Sequence, residues 1–146
     1  MNFDEADALN RSIRAIGFRH RALAIAALAP FGIHPGHKLL LIELEKNGPM
    51  TQAQLATASG FEPPTITLSV RQLEAAGLVL RRPSATDRRA TMVELSALGH
   101  EVLPKVRKAW RRVAEQTIAG LSTAQATQAK EVLAVLAAAL TAAYPE

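Results

Sequence analysis

The stretch TQAQLATASGFEPPTITLSVRQLEAAGLVL, residues 51–80, has the pattern of a helix-turn-helix. Thr51 opens a T-x-x-Q capping box, so a short helix should begin there and end near Ser59-Gly60. A second helix should open at Glu62-Pro63-Pro64, because proline suits a first helical turn, and should end at Gly77. We therefore expect two short helices joined by a tight turn.

The second helix should have one buried face and one outward face. On a 3.6-residue period Ile66, Val70 and Leu73 share a side, which we expect to be buried. The outward face carries a single charged residue among small and uncharged ones: Pro64, Thr65, Thr67, Leu68, Arg71 and Ala75. Short hydroxyl and methyl groups suit base edges in a major groove, so this face is a candidate for reading DNA. An ordinary solvated helix face is the alternative.

Residues 78–95, LVLRRPSATDRRATMVEL, follow directly and have the pattern of a β-hairpin with a longer loop. The segment from position 71 to position 89 contains five arginines and two acids, Glu74 and Asp87, so its net charge is +3. The arginines are Arg71, Arg81, Arg82, Arg88 and Arg89. Arginines on a loop beside a groove-reading helix favour phosphate contact and minor-groove insertion, whereas a solvated charge run is the alternative.

The segments QLEAAGLV (72–79) and DRRATMVELSALG (87–99) resemble the signature of the MarR family of bacterial transcription regulators, and the resemblance covers nearly the whole chain. It implies a dimer of winged helices, with each helix in a major groove and each wing arginine in a minor groove. By the same resemblance Asp87 orients Arg89, the minor-groove probe. The chain departs from the family at Glu62, where a serine often caps the helix, and at Leu68, where an arginine is common. Both departures bear on the choice of operator rather than on the binding mode.

We call the DNA-binding part, residues 38–95, the reading head. The resemblance also implies a small effector, often a phenolic or aromatic carboxylate, between the reading head and the dimerisation helices. The candidate pocket residues are His20, His37 and Trp110, for which interface or core packing is the alternative. Some members of the family sense zinc, and His34 and His37 have a spacing seen among metal ligands. Because no second close His/Glu pair accompanies them, we expect no metal site and no cofactor. Both histidines would then cap or line the start of a helix.

The composition limits the remaining classes. At 146 residues and 49% hydrophobic, the chain suits one domain with a substantial core. The absence of cysteine excludes disulfides, thiolate zinc sites and thiol-based redox sensing. A net charge of +4 favours a polyanionic partner, and an aromatic content of only 4% disfavours single-stranded nucleic acid. No apolar run approaches the roughly 18 residues needed for a membrane span and the start of the chain is acidic, so we expect a cytoplasmic protein without membrane association.

Long helices should flank the reading head. Residues 4–29 carry an apolar stripe that should pack on a partner subunit: Leu9, Ile13, Ile16, His20, Leu23 and Ala27. Residues 38–46 should form a buried supporting helix containing Leu39, Leu40, Ile42 and Leu41. Ser96 should begin a helix bent at Pro104, with an apolar side of Leu98, Val102, Val106, Trp110, Val113 and Thr117. Its basic run, Lys105 to Arg112, is either a solvated face or a source of phosphate contacts. Ser122 should cap a last, alanine-rich helix.

These patterns predict a mostly α (α+β) fold, a winged helix-turn-helix with a two-stranded wing and long N- and C-terminal dimerisation helices. A single domain should span 1–146, with dimerisation helices at 4–29 and 97–143 and the DNA-binding part at 38–95. The predicted function is a sequence-specific double-stranded DNA-binding transcription regulator, a ligand-responsive homodimeric repressor on a palindromic operator. The alternative is a winged-helix module that binds protein without DNA. No nucleophile–base arrangement supports an enzyme.

Overall fold

The computed structural model describes residues 1–144, which form helices and short strands. In chain order the elements are α1 (Phe3–Leu28), α2 (Pro35–Asn47), β1 (Met50–Thr51), α3 (Gln52–Ser59), α4 (Pro63–Ala75), β2 (Val79–Pro83), β3 (Thr91–Leu95), α5 (Ala97–Thr117) and α6 (Thr123–Ala143). A 3-10 turn, Ala29–Phe31, follows α1. The chain divides into two compact units, Met1–Val113 and Ala114–Glu146.

Local hydrogen bonds determine where the helices begin and end. The Thr51 hydroxyl accepts from the Gln54 amide at 3.1 Å, while the Gln54 side chain accepts from the Thr51 amide at 2.8 Å. Helix α3 ends at Gly60, whose φ of +72° lies in the left-handed region that glycine adopts without strain. Ser122 and Gln125 form the same reciprocal pair at the start of α6. The predicted capping boxes are therefore confirmed.

The sheet has three antiparallel strands in the order β1-β3-β2. The predicted wing is the pair β2 and β3, whose register places Arg81 opposite Val93 and Arg82 opposite Met92. The third strand was not predicted, because β1 has only two residues and reaches its partner from about forty positions away. Its pairing ties the start of α3 to the base of the wing.

The predicted inward face of α4 is confirmed, since Ile66, Val70 and Leu73 are buried. They join a core drawn from α2, α3, the sheet and α5: Leu40, Leu41, Leu44, Leu55, Val79, Val93, Leu103 and Val106. In α2 the prediction was partly wrong, because Leu39 and Ile42 are only half-buried while Leu44 is fully buried. This core holds α4 and the wing in one body.

The start of α5 packs against the start of the wing through Ser96 and Gly99. The Ser96 hydroxyl donates to the Gly77 carbonyl and accepts from the Gly99 amide at 2.9 Å. A Cβ at Gly99 would lie 2.1 Å from the Leu78 carbonyl oxygen, so only glycine fits this approach. The predicted apolar side of α5 is confirmed in its middle, where Val106 and Val113 are buried and Val102 and Trp110 pack against the core, and wrong at its two ends. Leu98 is exposed, whereas Leu103, which the prediction omitted, is fully buried.

Helix α1 leaves much of its apolar surface exposed. Only Ala24 and Leu28 are buried, near its C-terminal end. The larger apolar side chains of its first two-thirds are exposed by half or more: Phe3, Leu9, Ile13, Ile16 and Phe18. Monomeric soluble proteins rarely expose apolar surface of this extent, so α1 has the properties of an interface helix.

Helix α6 has no buried residue, although apolar side chains make up much of its surface. Its exposed large residues are Val132, Leu133, Val135, Leu136 and Leu140. By length and a mean hydropathy of 1.2 it is long and apolar enough to cross a membrane, so the expectation that no segment reaches this limit was wrong. Lys130 and Glu131 lie near its middle, however, and a lysine in the centre of a bilayer costs about 2.5–3.5 kcal/mol. An alanine-rich surface of this kind is better suited to close packing against another helix.

Candidate nucleic-acid interface

Helix α4 presents the outward face expected of a reading helix. Thr65, Leu68 and Arg71 are exposed, and Leu68 keeps 57% of its surface accessible. Pro64 and Ala75 are exposed on the same side. Thr67 is half-buried, and its hydroxyl donates to the Pro63 carbonyl at 3.1 Å. Because that proton is committed to the backbone, Thr67 offers an outside group a hydrogen-bond acceptor rather than a donor.

The tip of the wing, residues 84–90, is held by its own hydrogen bonds. The Ser84 amide donates to the Ala90 carbonyl at 3.0 Å, and the Ala90 amide donates to the Asp87 carbonyl at 3.1 Å. The Ser84 hydroxyl accepts from the amides of Thr86 and Asp87, each at 3.3 Å. A tip closed in this way presents its arginines from a defined backbone.

Asp87 contacts Arg89, but through the backbone. The Asp87 Oδ1 atom accepts from the Arg89 amide at 2.9 Å, an Asx turn. The expectation was a carboxylate that holds the guanidinium in one rotamer; the contact found instead sets the path of the chain from which the Arg89 side chain leaves. Within residues 1–144 neither Arg88 nor Arg89 has an acidic partner, so both guanidinium groups are available to an outside anion.

The other two wing arginines are already paired. Arg81 donates through Nε to Glu74 Oε2 at 2.6 Å and through Nη2 to Glu74 Oε1 at 3.1 Å. This hydrogen bond lowers the pKa of Glu74, so the pair remains charged at neutral pH. Arg82 Nη2 lies 3.2 Å from Glu94 Oε2. The sequence did not reveal the Glu74–Arg81 pair, because no local rule connects a helix residue with a strand residue seven positions later.

Arg89 therefore stands in the middle of the accessible basic surface. It lines a surface groove of about 410 Å³ between the wing and the start of α3, with Thr51, Gln52, Ala53, Asp87, Ala90 and Thr91. It also lines a second groove of about 370 Å³ with Glu74, Arg81, Arg82, Pro83, Arg88, Ala90 and Thr91. The unpaired charge of the reading head is concentrated on Arg71, Arg88 and Arg89.

The predicted effector residues do not form one group. The rings of His20 and Trp110 meet edge to face, with centroids 6.3 Å apart and an interplanar angle of 83°. Lys38 Nζ lies 4.1 Å from the Trp110 ring centroid, and burial lowers the pKa of this lysine. Sequence reasoning missed Lys38, since its position over the ring depends on how α2 packs against α5. Cation, indole and imidazole together form a half-buried site of mixed polarity.

His37 belongs to a different cluster, so its assignment to the same pocket was wrong. It is 97% buried, and its Nε2 lies 3.0 Å from Gln72 Oε1 on α4. Its Nδ1 is 3.5 Å from the His34 amide, and the two imidazole rings stack with centroids 3.6 Å apart. The two histidines thus line the start of α2, the structural role weighed above. Within residues 1–144 no group of three or more His, Cys, Asp or Glu side chains could hold a metal ion.

An arginine-bearing hairpin beside an exposed second helix defines a winged helix-turn-helix protein. The MarR family model matches residues 34–91, from the turn before α2 to the first residue of β3. A candidate transcriptional regulatory protein for the hcr operon of Thauera aromatica is 31% identical over 133 residues, which are 85% of this chain and 80% of that protein. The chain belongs to the MarR family, and it is a transcription regulator rather than an enzyme.

Solved structures share the fold along most of the chain. A candidate transcriptional regulator of Pseudomonas aeruginosa has a TM-score of 0.75 at 28% identity. The match covers 88% of this chain and 96% of that one. A mutant MarR from E. coli, complexed with operator DNA, has a TM-score of 0.72 at 18% identity. The match covers 93% of this chain and 98% of that one. At this identity the second likeness concerns the fold alone.

Proposed function

We propose that this protein is a homodimeric cytoplasmic repressor that binds a palindromic double-stranded DNA operator and is released by a small aromatic acid. The observation that carries DNA binding is the exposed face of α4 beside a wing whose Arg88 and Arg89 have no acidic partner within residues 1–144. Thr65, Leu68 and Arg71 would face base edges in the major groove, and Arg89 would enter the adjacent minor groove. The operator complex of the E. coli MarR mutant supports this use of the fold.

DNA binding is tested with duplexes of roughly 30 base pairs, long enough for two half-sites about one helical turn apart. Affinity should fall steeply with salt, because each neutralised phosphate releases counterions. Arg89→Ala should weaken binding to every duplex and reduce the salt slope by about one for each protomer of the dimer. Lys130→Ala, which removes a positive charge at an exposed position on α6, is the control and should leave binding unchanged. Duplex binding that is absent at low salt would favour the rival, a winged helix that binds protein alone.

The dimer is supported by exposed apolar side chains on α1 and α6, which a two-fold partner would bury. We expect sedimentation equilibrium to give twice the chain mass of 15.7 kDa. Leu136→Glu, on the apolar side of α6, should shift the protein toward monomer, because a carboxylate cannot be buried there without a partner. Thr127→Glu adds the same charge on the polar side near Lys130 and should remain dimeric. A wild-type monomer at micromolar concentration would refute the pairing.

The effector proposal rests on the group formed by Lys38, Trp110 and His20. A benzoate-like anion carries a carboxylate for Lys38 and a flat ring for Trp110, which matches the two kinds of contact available there. Binding would release DNA if the ligand prefers a spacing of the two reading heads that differs from the spacing on the operator. The regulator would then respond as a repressor to an aromatic acid.

Trp110 provides the assay, because it is the only tryptophan in the chain. Titration with benzoate should change its fluorescence and lower operator affinity in parallel. Lys38→Met should abolish both responses, whereas Lys46→Met, at an exposed position on the same helix, should retain them. If wild-type fluorescence and operator affinity ignore benzoate, salicylate and related acids, the assignment of this site fails.

A further inference from the structure

Arg81 occupies a position from which it could contact DNA, yet its guanidinium is turned to the protein. The side chain lines the same groove as Arg88 and Arg89. It differs from them because Nε and Nη2 both donate to the carboxylate of Glu74, one acceptor oxygen for each donor. A fork-to-fork contact of this type fixes direction as well as distance, which a single lysine contact does not.

The Glu74–Arg81 pair joins the last third of the reading helix α4 to the third residue of β2. Both side chains remain about a third exposed, at 34% for Arg81 and 39% for Glu74. The pair therefore adds little to stability, because exposed ion pairs are screened by water and salt. Its effect is on charge. The Glu74 carboxylate neutralises the Arg81 guanidinium in the groove that Arg88 and Arg89 also line, and it occupies two of the guanidinium donors.

Phosphate contacts carry no sequence information, since every duplex presents the same backbone. An additional free arginine on the wing would strengthen binding to all sequences alike. We propose that Glu74 holds Arg81 away from DNA phosphates and so sets the strength of sequence-independent binding. It thereby limits non-specific affinity while Arg88 and Arg89 remain free. The inference rests on the proposed DNA-binding function and reverses the role that the sequence suggested for Arg81.

The test measures the slope of log affinity against log salt on a mixed-sequence duplex of roughly 30 base pairs. Glu74→Gln keeps the shape of the side chain but removes its charge, which frees Arg81. One added phosphate contact steepens the slope by about 0.9, so the two Arg81 side chains freed in a dimer should steepen it by about 1.8. Between about 50 and 200 mM salt, the advantage of the variant over wild type should therefore change by roughly 12-fold.

Two further variants separate this mechanism from a general charge effect. In the double variant Glu74→Gln with Arg81→Ala, both partners are removed, and the slope should return to the wild-type value because Arg81 makes no phosphate contact in the wild type. Asp7→Asn removes an acid that pairs with Arg11 within α1, outside the reading helix and the wing, and should leave the slope unchanged. Thermal melts of each variant should match wild type, as expected for exposed pairs.

A double variant whose slope is about 1.8 shallower than wild type would show that Arg81 does contact phosphate in both protomers, and would overturn the inference. A wild-type slope in Glu74→Gln would overturn it as well. In both cases DNA binding by wild type and its loss in Arg89→Ala would leave the proposed function standing. A wild-type protein that ignores duplex DNA would overturn both.

Discussion

Replacing Gly99 by alanine tests the packing that holds the wing against α5. The added Cβ would lie 2.1 Å from the Leu78 carbonyl oxygen, 3.2 Å from the Leu78 carbonyl carbon and 3.3 Å from Leu95 Cδ2. The nearest of these atoms belongs to the backbone and cannot rotate away. To reach an ordinary contact of 3.4 Å, the helix start and the strand must separate by about 1.3 Å.

This movement acts on a connected set of hydrogen bonds. The Leu78 carbonyl accepts from the Ser96 amide at 3.0 Å, and the Ser96 hydroxyl links the Gly77 carbonyl to the Gly99 amide. Overpacking costs about 1–3 kcal/mol, and the loss of one buried hydrogen bond adds about 1 kcal/mol. The better helix propensity of alanine offsets up to about 1 kcal/mol. We expect the free energy of unfolding to fall by about 1–4 kcal/mol.

The assay is urea unfolding followed by helical circular dichroism, at one protein concentration because dimerisation contributes to stability. Gly120→Ala is the control: Gly120 lies in the turn between α5 and α6, and a Cβ there meets nothing within 4 Å. It should raise stability by about 0.4–1 kcal/mol, so the two alanines should act in opposite directions. If Gly99→Ala unfolds at the same midpoint as wild type, the close approach described above is wrong.

Three other outcomes follow from the same structure. Burial and the stacked His34 lower the pKa of His37 from its ordinary value of 6.5. The contribution of His37 to folding stability should therefore be full above pH 6.5 and decline below it, and His37→Gln should flatten this dependence. Equal wild-type urea midpoints above and below pH 6.5 would contradict the prediction. Leu68→Ala should change which sequence is selected from a random duplex pool, with a difference in binding free energy of about 1–3 kcal/mol per affected contact. An unchanged selected sequence would mean that Leu68 does not face the bases. Thr51→Ala should cost about 1 kcal/mol of unfolding free energy, and no loss would mean that the cap does not stabilise α3.

The sequence predicted the candidate interface well where one helix or one hairpin contains it. The outward face of α4 follows from a period of 3.6 residues, which any helix must obey. The position of Arg88 and Arg89 at the wing tip follows from two short strands with a loop between them. What these local patterns could not show is which arginines are free. Arg81 and Arg89 look equivalent in the sequence, but only one of them faces an acid on α4.

The effector group was predicted less accurately for the same reason. His20 and Trp110 were identified as polar or aromatic residues on apolar helices, and they meet. His37 satisfied the same criterion but contacts Gln72 on α4 instead. Lys38 follows it directly in the sequence, yet it points to Trp110 because successive helical residues are about 100° apart. The direction that each residue takes depends on which helices surround α2.

The sequence by itself determined the helix starts, the turns and the apolar faces, because capping bonds and helical faces involve residues three or four positions apart. It also carried the match of the wing to a known family. Tertiary structure alone decided the third strand, the close approach of Gly99 to Leu78, and the pairing of Glu74 with Arg81. Each of these joins surfaces that come together only when the core packs. Their geometry depends on the shape of both partners, which a local pattern in one of them does not contain.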